Sequence, residues 1–131
     1  MGSEYSIEMA KNWLRTAELS DKEGIPQTSL YSMEMSMEIA MKAVLESIGV
    51  DIPKTHYIER IFRKEIYAHK TSRGFIEKVP MMLDIFSELL RLRPLGGYGL
   101  GNLSKEEAVK MVKKMMPRVK DMVSLCEKEV R

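Results

Sequence analysis

Apolar residues recur at intervals of three and four along most of the chain, which is the period of an amphipathic α-helix. Five such segments follow one another, separated by short breaks rich in glycine, proline or polar residues. None of them shows the strict alternation of a half-buried strand. The pattern predicts an all-α fold: a five-helix up-and-down bundle with a four-helix-bundle core, forming one domain over residues 1–131.

Local signals set the expected bounds of the first three helices. The first is predicted over about Glu4–Ser20 and the second over about Thr28–Ile48. Gly49 follows the second helix, where glycine commonly ends a helix. The third helix is shorter, and Thr55 is its expected N-cap, since a hydroxyl can accept from a free N–H of the first turn.

The last two helices each contain a proline. Pro80 lies within the fourth apolar pattern and predicts either a kink or the true first turn, and the helix should end near Pro94. The last helix should begin with a capping box formed by Ser104 and Glu107. Pro117 interrupts its pattern and predicts a bend.

The second helix is predicted to be apolar or small on two sides. One narrow sector holds Leu30, Met37, Met41, Leu45 and Ile48. The nearly opposite sector holds Ile39, Ala43 and Val50, with Ser32 and Ser36 among them. A helix with two such faces is normally central or shared with another chain. We therefore expect a central second helix and a homodimer.

A charged strip follows the gap between these two faces. Glu34, Glu38, Lys42 and Glu46 are each four residues apart, so they lie one turn above another. One interpretation is a solvated helix edge in which Glu38 and Lys42 form a favourable i to i+4 pair. The other is a polar groove between helices that holds a ligand or a partner. Periodicity alone leaves both open.

Composition narrows the classes of function. The net charge of +2 is too small to indicate a dedicated nucleic-acid or membrane binder, and no apolar run is long enough for a membrane span. Cys126 is the only cysteine, which rules out an internal disulfide and fits a reducing cytoplasm. Two histidines and one cysteine at scattered positions give no ligand spacing. We expect no metal site and no cofactor.

The stretch "RLRPLGGYGLGN" between the fourth and fifth helices is glycine-rich but lacks the spacing of a phosphate-binding loop. We interpret it as a mobile connection. Arg91, Arg93 and Tyr98 would make it a lip that faces a nucleotide or an RNA.

The stretch "SMEIAMKAVLESIGVDIPKTH" resembles the signature of HEPN domains, the higher eukaryotes and prokaryotes nucleotide-binding family, in its stand-alone prokaryotic form. The matching positions are Glu38, Ala40, Lys42, Ala43, Gly49, Pro53, Thr55 and His56. Two features depart from the family pattern. Glu34 and Met35 stand where a glutamine pair is frequent, and "RLRPLGGYG" matches the later Arg-Tyr-Pro motif only loosely.

The resemblance implies a non-catalytic nucleotide-binding or accessory subunit. Such a subunit would work with a separately encoded minimal nucleotidyltransferase, in a toxin–antitoxin-like or nucleotide-transfer system, and would form a homodimer. Its ligand-binding groove would be lined by Glu34, Glu38, Lys42, His56, Arg91, Arg93 and Tyr98.

Two alternatives stay open. Some branches of the family are metal-independent RNases that use an Arg-x(4–6)-His motif at the dimer interface, and Arg63 and His69 have that spacing. Histidine would act as the proton acceptor and arginine would bind the phosphate. The third possibility is a structural or interaction bundle that has no small ligand.

Overall fold

The computed structural model describes residues 2–69, 71–92 and 103–131, and these residues form five α-helices and no strand. In chain order the helices are α1 (Gly2–Lys22), α2 (Pro26–Ser47), α3 (Glu59–Ala68), α4 (Arg73–Arg91) and α5 (Lys105–Val130). The predicted all-α class is confirmed.

Glycines end the first two helices in the same way. Gly49 has a φ of +82°, its N–H donates to the Glu46 carbonyl at 3.1 Å, and the Val50 N–H donates to the Leu45 carbonyl at 3.0 Å. Gly24, with a φ of +73°, ends α1 with the equivalent pair of bonds. Positive φ strains other residues but not glycine. The predicted end of the second helix is therefore confirmed.

The predicted start of α5 is correct and the predicted N-cap of α3 is wrong. The Ser104 hydroxyl accepts from the Glu107 N–H and the Glu107 carboxylate accepts from the Ser104 N–H, both at 3.1 Å, so the predicted capping box is present. Thr55 does not cap α3, which begins at Glu59 after Ile58. Its hydroxyl instead accepts from the Tyr57 N–H at 3.1 Å, because it closes a local bend before the helix.

Both prolines lie inside continuous helices. Pro80 is seven residues from the start of α4, so it does not mark the first turn. Pro117 lies near the middle of α5. Both are exposed, which leaves the missing N–H on the solvent side of each helix.

The second helix is central, as predicted. It contacts each of the other four helices, and fourteen of its 22 residues are buried. Its large apolar side packs among α3, α4 and α5, and the largest fully buried side chains of the core include Met33, Met37, Met41, Phe62, Phe86 and Met115. Its small side packs on α1.

Burial of both faces within one chain changes the argument for a homodimer. Ser29 and Ser36 of α2 donate to the carbonyls of Ala17 and Ala10 of α1, at 2.8 Å and 2.7 Å. The small face is thus covered by α1 and offers no surface to a second copy. The two faces of α2 therefore give no support of their own to a homodimer, because α1 covers the second face, and the homodimer stays a prediction.

Within the described residues, no helix is long and apolar enough to cross a membrane.

Candidate functional site

The charged strip of α2 changes its environment along the helix. Glu34 is fully buried and Glu38 is 4% exposed. Lys42 and Glu46 are only partly buried, and Glu46 accepts from the Ser6 hydroxyl of α1 at 3.0 Å. A solvated edge does not describe the first half of the strip, so that interpretation was wrong for Glu34 and Glu38.

Glu38 contacts two nitrogen-bearing side chains. Its Oε2 accepts from Lys42 Nζ at 2.9 Å, and its Oε1 lies 2.7 Å from His56 Nδ1. A carboxylate at this position only accepts, so His56 Nδ1 carries the proton of that bond. We call Glu38, Lys42 and His56 the Glu38 cluster.

Two segments position the cluster. Lys42 lies one turn after Glu38 on α2, so their contact follows from helical spacing. His56 comes from the connection between α2 and α3, which turns back at Gly49. The next part of the connection is anchored by Ile58, which is fully buried and donates its N–H to the His56 carbonyl at 3.1 Å. This anchor holds the imidazole over the side of α2.

The three side chains form a path from the core to solvent. The Glu38 side chain is 5% exposed, that of Lys42 is 17% exposed and that of His56 is 44% exposed. A buried carboxylate is costly unless its oxygens are bonded, and here each oxygen has a nitrogen partner. The cluster can therefore keep a charge inside the bundle while its histidine meets solutes at the surface.

Three side chains of kinds that can bind a metal ion lie close together around Glu38. Glu34, Glu38 and His56 each offer an atom within 4.8 Å of the others. Sequence spacing had given no such group, because His56 arrives through the connection and not by helical register. A cation here would compete with Lys42 and His56 for the two oxygens of Glu38, so the arrangement as it stands is an ion-paired cluster.

The other residues of the predicted groove divide into two sets. Arg91 is the last residue of α4 and is exposed. No side-chain hydrogen bond or ion pair joins it to the Glu38 cluster in the part of the chain that the structure describes. Arg93 and Tyr98 lie outside the described residues.

The structure places the two residues of the RNase hypothesis apart on α3. Arg63 lies on the exposed side of the helix, and His69 is its C-cap residue, whose Nδ1 bonds the Glu65 carbonyl at 2.9 Å. Six residues on a helix correspond to about 240° of rotation, so the two side chains leave α3 on different sides. Within one chain they do not form a pair.

Cys126 has no role at this site. It is fully buried, with its Sγ 3.8 Å from Met82 Sδ, and burial raises the pKa of the thiol well above its usual value. A thiol kept protonated in the core is a packing group.

One surface feature was not predicted from the sequence: an open groove of about 630 Å³ beside α3. It is lined by Pro53, Tyr57, Arg60, Ile61, Lys64 and Glu65. The sequence does contain a signal for this groove, because the spacing of its lining residues Tyr57, Arg60, Ile61 and Lys64 is typical of one face of a helix.

The described residues form an all-helical bundle in which the central helix α2 and the connection after it bring Glu38, Lys42 and His56 together. A model of the HEPN domain matches residues 3–126, nearly the whole chain, and the chain belongs to that family. The resemblance drawn from the residues around Glu38 is confirmed. Comparison with curated proteins gave no match, and neither did comparison with solved structures.

Proposed function

We propose that this HEPN domain is a non-catalytic, nucleotide-binding or accessory subunit, which acts as a homodimer with a separate nucleotidyltransferase. The observation that carries the proposal is the Glu38 cluster. It brings a carboxylate and an ammonium of the central helix together with an imidazole from the connection after it, and the imidazole lies at the surface.

Stability alone is a weak reason for such a cluster. Removing charges from water costs free energy that offsets much of their mutual attraction, and apolar residues of similar size often serve a core as well. A role in recognition explains why the charges are kept beside an opening to solvent.

The chemistry of the cluster suits a nucleotide. The Lys42 ammonium has three N–H donors, of which Glu38 uses one, so it can also bond a phosphate oxygen. His56 adds a partly exposed ring at the rim, where it can donate to the same anion. Glu38 holds both side chains in place.

Titration calorimetry with ATP, GTP, CTP and UTP, and with their monophosphates, tests the proposal. We expect at least one of them to bind the wild type and the double variant Glu38→Gln/Lys42→Met to lose that binding at least tenfold. The double variant should stay folded by circular dichroism. The matched control is Glu18→Gln/Lys120→Met, which removes the same two charges from an exposed pair at 2.9 Å.

Two results would count against the proposal. If the Glu38 and Lys42 double variant binds every nucleotide and the partner enzyme as the wild type does, the cluster only fixes packing. If the exposed-pair control loses binding equally, the loss is not specific to the Glu38 cluster.

Separate measurements address the other parts. A cleavage assay on RNA in EDTA, comparing wild type with His69→Ala, should show no activity in either; cleavage lost in the variant would favour the RNase alternative.

Sedimentation equilibrium at micromolar concentration should give a dimer. A nucleotidyltransferase gene beside this one, and co-purification of the two products, would support the partnership. Failure of all nucleotides and of this partner to bind would leave a structural bundle.

A further inference from the structure

The two buried carboxylates of α2 lie next to each other. Glu34 and Glu38 are one helical turn apart, and Glu34 is fully buried while Glu38 is 4% exposed. A ligand oxygen of each lies within 4.8 Å of the other. Two carboxylates at this distance repel each other strongly inside a bundle, where the effective dielectric constant is low. A positive charge placed between them is therefore attracted by both.

His56 adds a nitrogen to these two oxygens. Its ligand atom also lies within 4.8 Å of those of Glu34 and Glu38, and its Nδ1 is 2.7 Å from Glu38 Oε1. A tetrahedral zinc site with bonds of about 2.0–2.2 Å holds its ligand atoms about 3.4 Å apart. The observed distance of 2.7 Å is shorter than that spacing and the limit of 4.8 Å is longer, so small side-chain rotations bring the three atoms onto one cation.

The donor set selects the kind of cation. An imidazole nitrogen with carboxylate oxygens suits Zn²⁺, Co²⁺ and Ni²⁺. Mg²⁺ and Ca²⁺ prefer roughly six or more oxygen ligands, which one histidine and two carboxylates do not supply. Three protein ligands with one further position open to solvent are an established arrangement for zinc. The His56 side chain is 44% exposed, so a cation has a path from solvent to the ligand atoms.

The two oxygens of Glu38 separate the groups with which a cation would compete. Lys42 bonds Oε2 at 2.9 Å, whereas His56 lies 2.7 Å from Oε1. A cation that binds Oε1 and His56 Nδ1 takes the place of the proton between these two atoms. The imidazole then carries its proton on Nε2, and exchange with water moves it there because the ring is partly exposed. Lys42 keeps Oε2 and opposes the cation only by its charge.

We propose that Glu34, Glu38 and His56 bind one transition-metal dication of the zinc class, with a water in the fourth position. The bound cation joins α2 to the connection that precedes α3 through two carboxylates instead of one. This site goes beyond the proposed nucleotide binding and does not depend on it, because the metal alone is sufficient for the test.

Calorimetric titration of tag-free protein with ZnCl₂ tests the proposal, after treatment with EDTA and removal of the chelator. We expect one equivalent of Zn²⁺ per chain, and Co²⁺ in its place should give the visible absorption of a tetrahedral complex. His56→Ala and Glu34→Gln should each weaken Zn²⁺ binding at least about tenfold, since residues that only hydrogen-bond a metal ligand already contribute about 10–100-fold. Circular dichroism checks that both variants are folded.

Lys42→Met should change Zn²⁺ binding in the opposite direction. It removes a positive charge beside the cation and keeps a similar shape, so Zn²⁺ should bind about tenfold more tightly. The same substitution removes a phosphate donor from the proposed nucleotide site, so nucleotide binding measured in EDTA should weaken. The two proposals can therefore fail separately. Weaker Zn²⁺ binding by folded Lys42→Met would overturn the placement of the cation between Glu38 Oε1 and His56 Nδ1.

The second histidine of the chain supplies the matched control. His69 is exposed at the end of α3, and His69→Ala removes an imidazole without touching the cluster. Glu8→Gln, at an exposed position of α1, is the control for Glu34→Gln. Both controls should bind Zn²⁺ like the wild type. Cys126 does not compete for the cation, because its thiol is fully buried.

Three further results would overturn the proposal. The first is folded wild type that takes up no Zn²⁺ at one equivalent. The second is His56→Ala that binds Zn²⁺ as the wild type does. The third is an equal loss in His69→Ala and His56→Ala, which would assign the binding to scattered surface groups.

Discussion

The small side of α2, which faces α1, and the charged strip of α2 bury their polar groups in different ways. On the side that faces α1, the hydroxyls of Ser29 and Ser36 donate to main-chain carbonyls at 2.8 Å and 2.7 Å. On the other, the carboxylate of Glu38 is bonded by the ionisable side chains of Lys42 and His56. We refer to the first side as the serine seam.

The serine seam and the Glu38 cluster differ in what each can do besides stabilise the fold. The serine seam closes on the backbone of a neighbouring helix, and its small residues let α1 and α2 approach closely. The Glu38 cluster depends on charges that a ligand or a change of partner can alter, and it reaches solvent through His56. Satisfied hydroxyls indicate packing, whereas a buried ionic cluster beside solvent indicates a candidate site.

The largest effect is expected where the seam is overfilled. Ser36→Leu places a large side chain against Ala10, where both residues are fully buried, and should destabilise the protein by about 3 kcal/mol. Urea unfolding followed by circular dichroism measures this. The control Ser36→Ala removes only the hydroxyl and should cost about 1 kcal/mol. Equal costs for both variants would show that the seam is not tightly packed.

Breaking the Glu38 cluster should have an intermediate effect. Glu38→Ala leaves the Lys42 ammonium and the His56 ring without their carboxylate and should cost about 2 kcal/mol, less than for a fully buried pair because Lys42 and His56 reach solvent. Glu38→Gln keeps the shape and should cost about 1 kcal/mol. The same urea measurements apply, and a stabilised Glu38→Ala protein would contradict this view of the cluster.

An exposed pair of the same chemistry should matter much less. Glu18 and Lys120 join α1 to α5 at 2.9 Å, with roughly half of each side chain exposed. Glu18→Gln should cost below about 0.5 kcal/mol, and the cost should vanish at high salt because solvent ions screen the pair. A salt-resistant cost as large as that of Glu38→Ala would remove burial as the distinction between the two pairs.

The smallest effect is expected at the capping box, and it depends on pH. The main-chain N–H of Ser104, followed by its hydroxyl, lowers the pKa of Glu107 in the folded protein. A lowered pKa means that Glu107 contributes stability above its unfolded-state pKa and loses the contribution as pH falls through the folded value. The difference in urea midpoint between wild type and Glu107→Gln should be present at neutral pH and shrink as the pH falls through the folded-state pKa of Glu107. A difference that is constant with pH would show that the charge of Glu107 is not involved.

Helical periodicity predicted five helices, and local chemistry predicted the glycine after α2 and the capping box of α5. These signals are encoded within a few residues of where they act, so sequence reading finds them. Thr55 shows the limit of such local signals. Its hydroxyl can accept from a backbone N–H in a bend or from one in the first turn of a helix, and the sequence alone does not show which of the two forms.

The sequence by itself determined the all-α class, the central character of α2 and the pairing of Glu38 with Lys42, since each follows from the helical repeat. Only the tertiary structure decided that Glu34 and Glu38 are buried, that α1 covers the small face of α2, and that His56 meets Glu38 at 2.7 Å. Those outcomes depend on which helix packs on which face and on the path of the connection after Gly49. Such choices are made by the free energy of the whole packed bundle, because residues far apart in the chain become neighbours only when the core is formed.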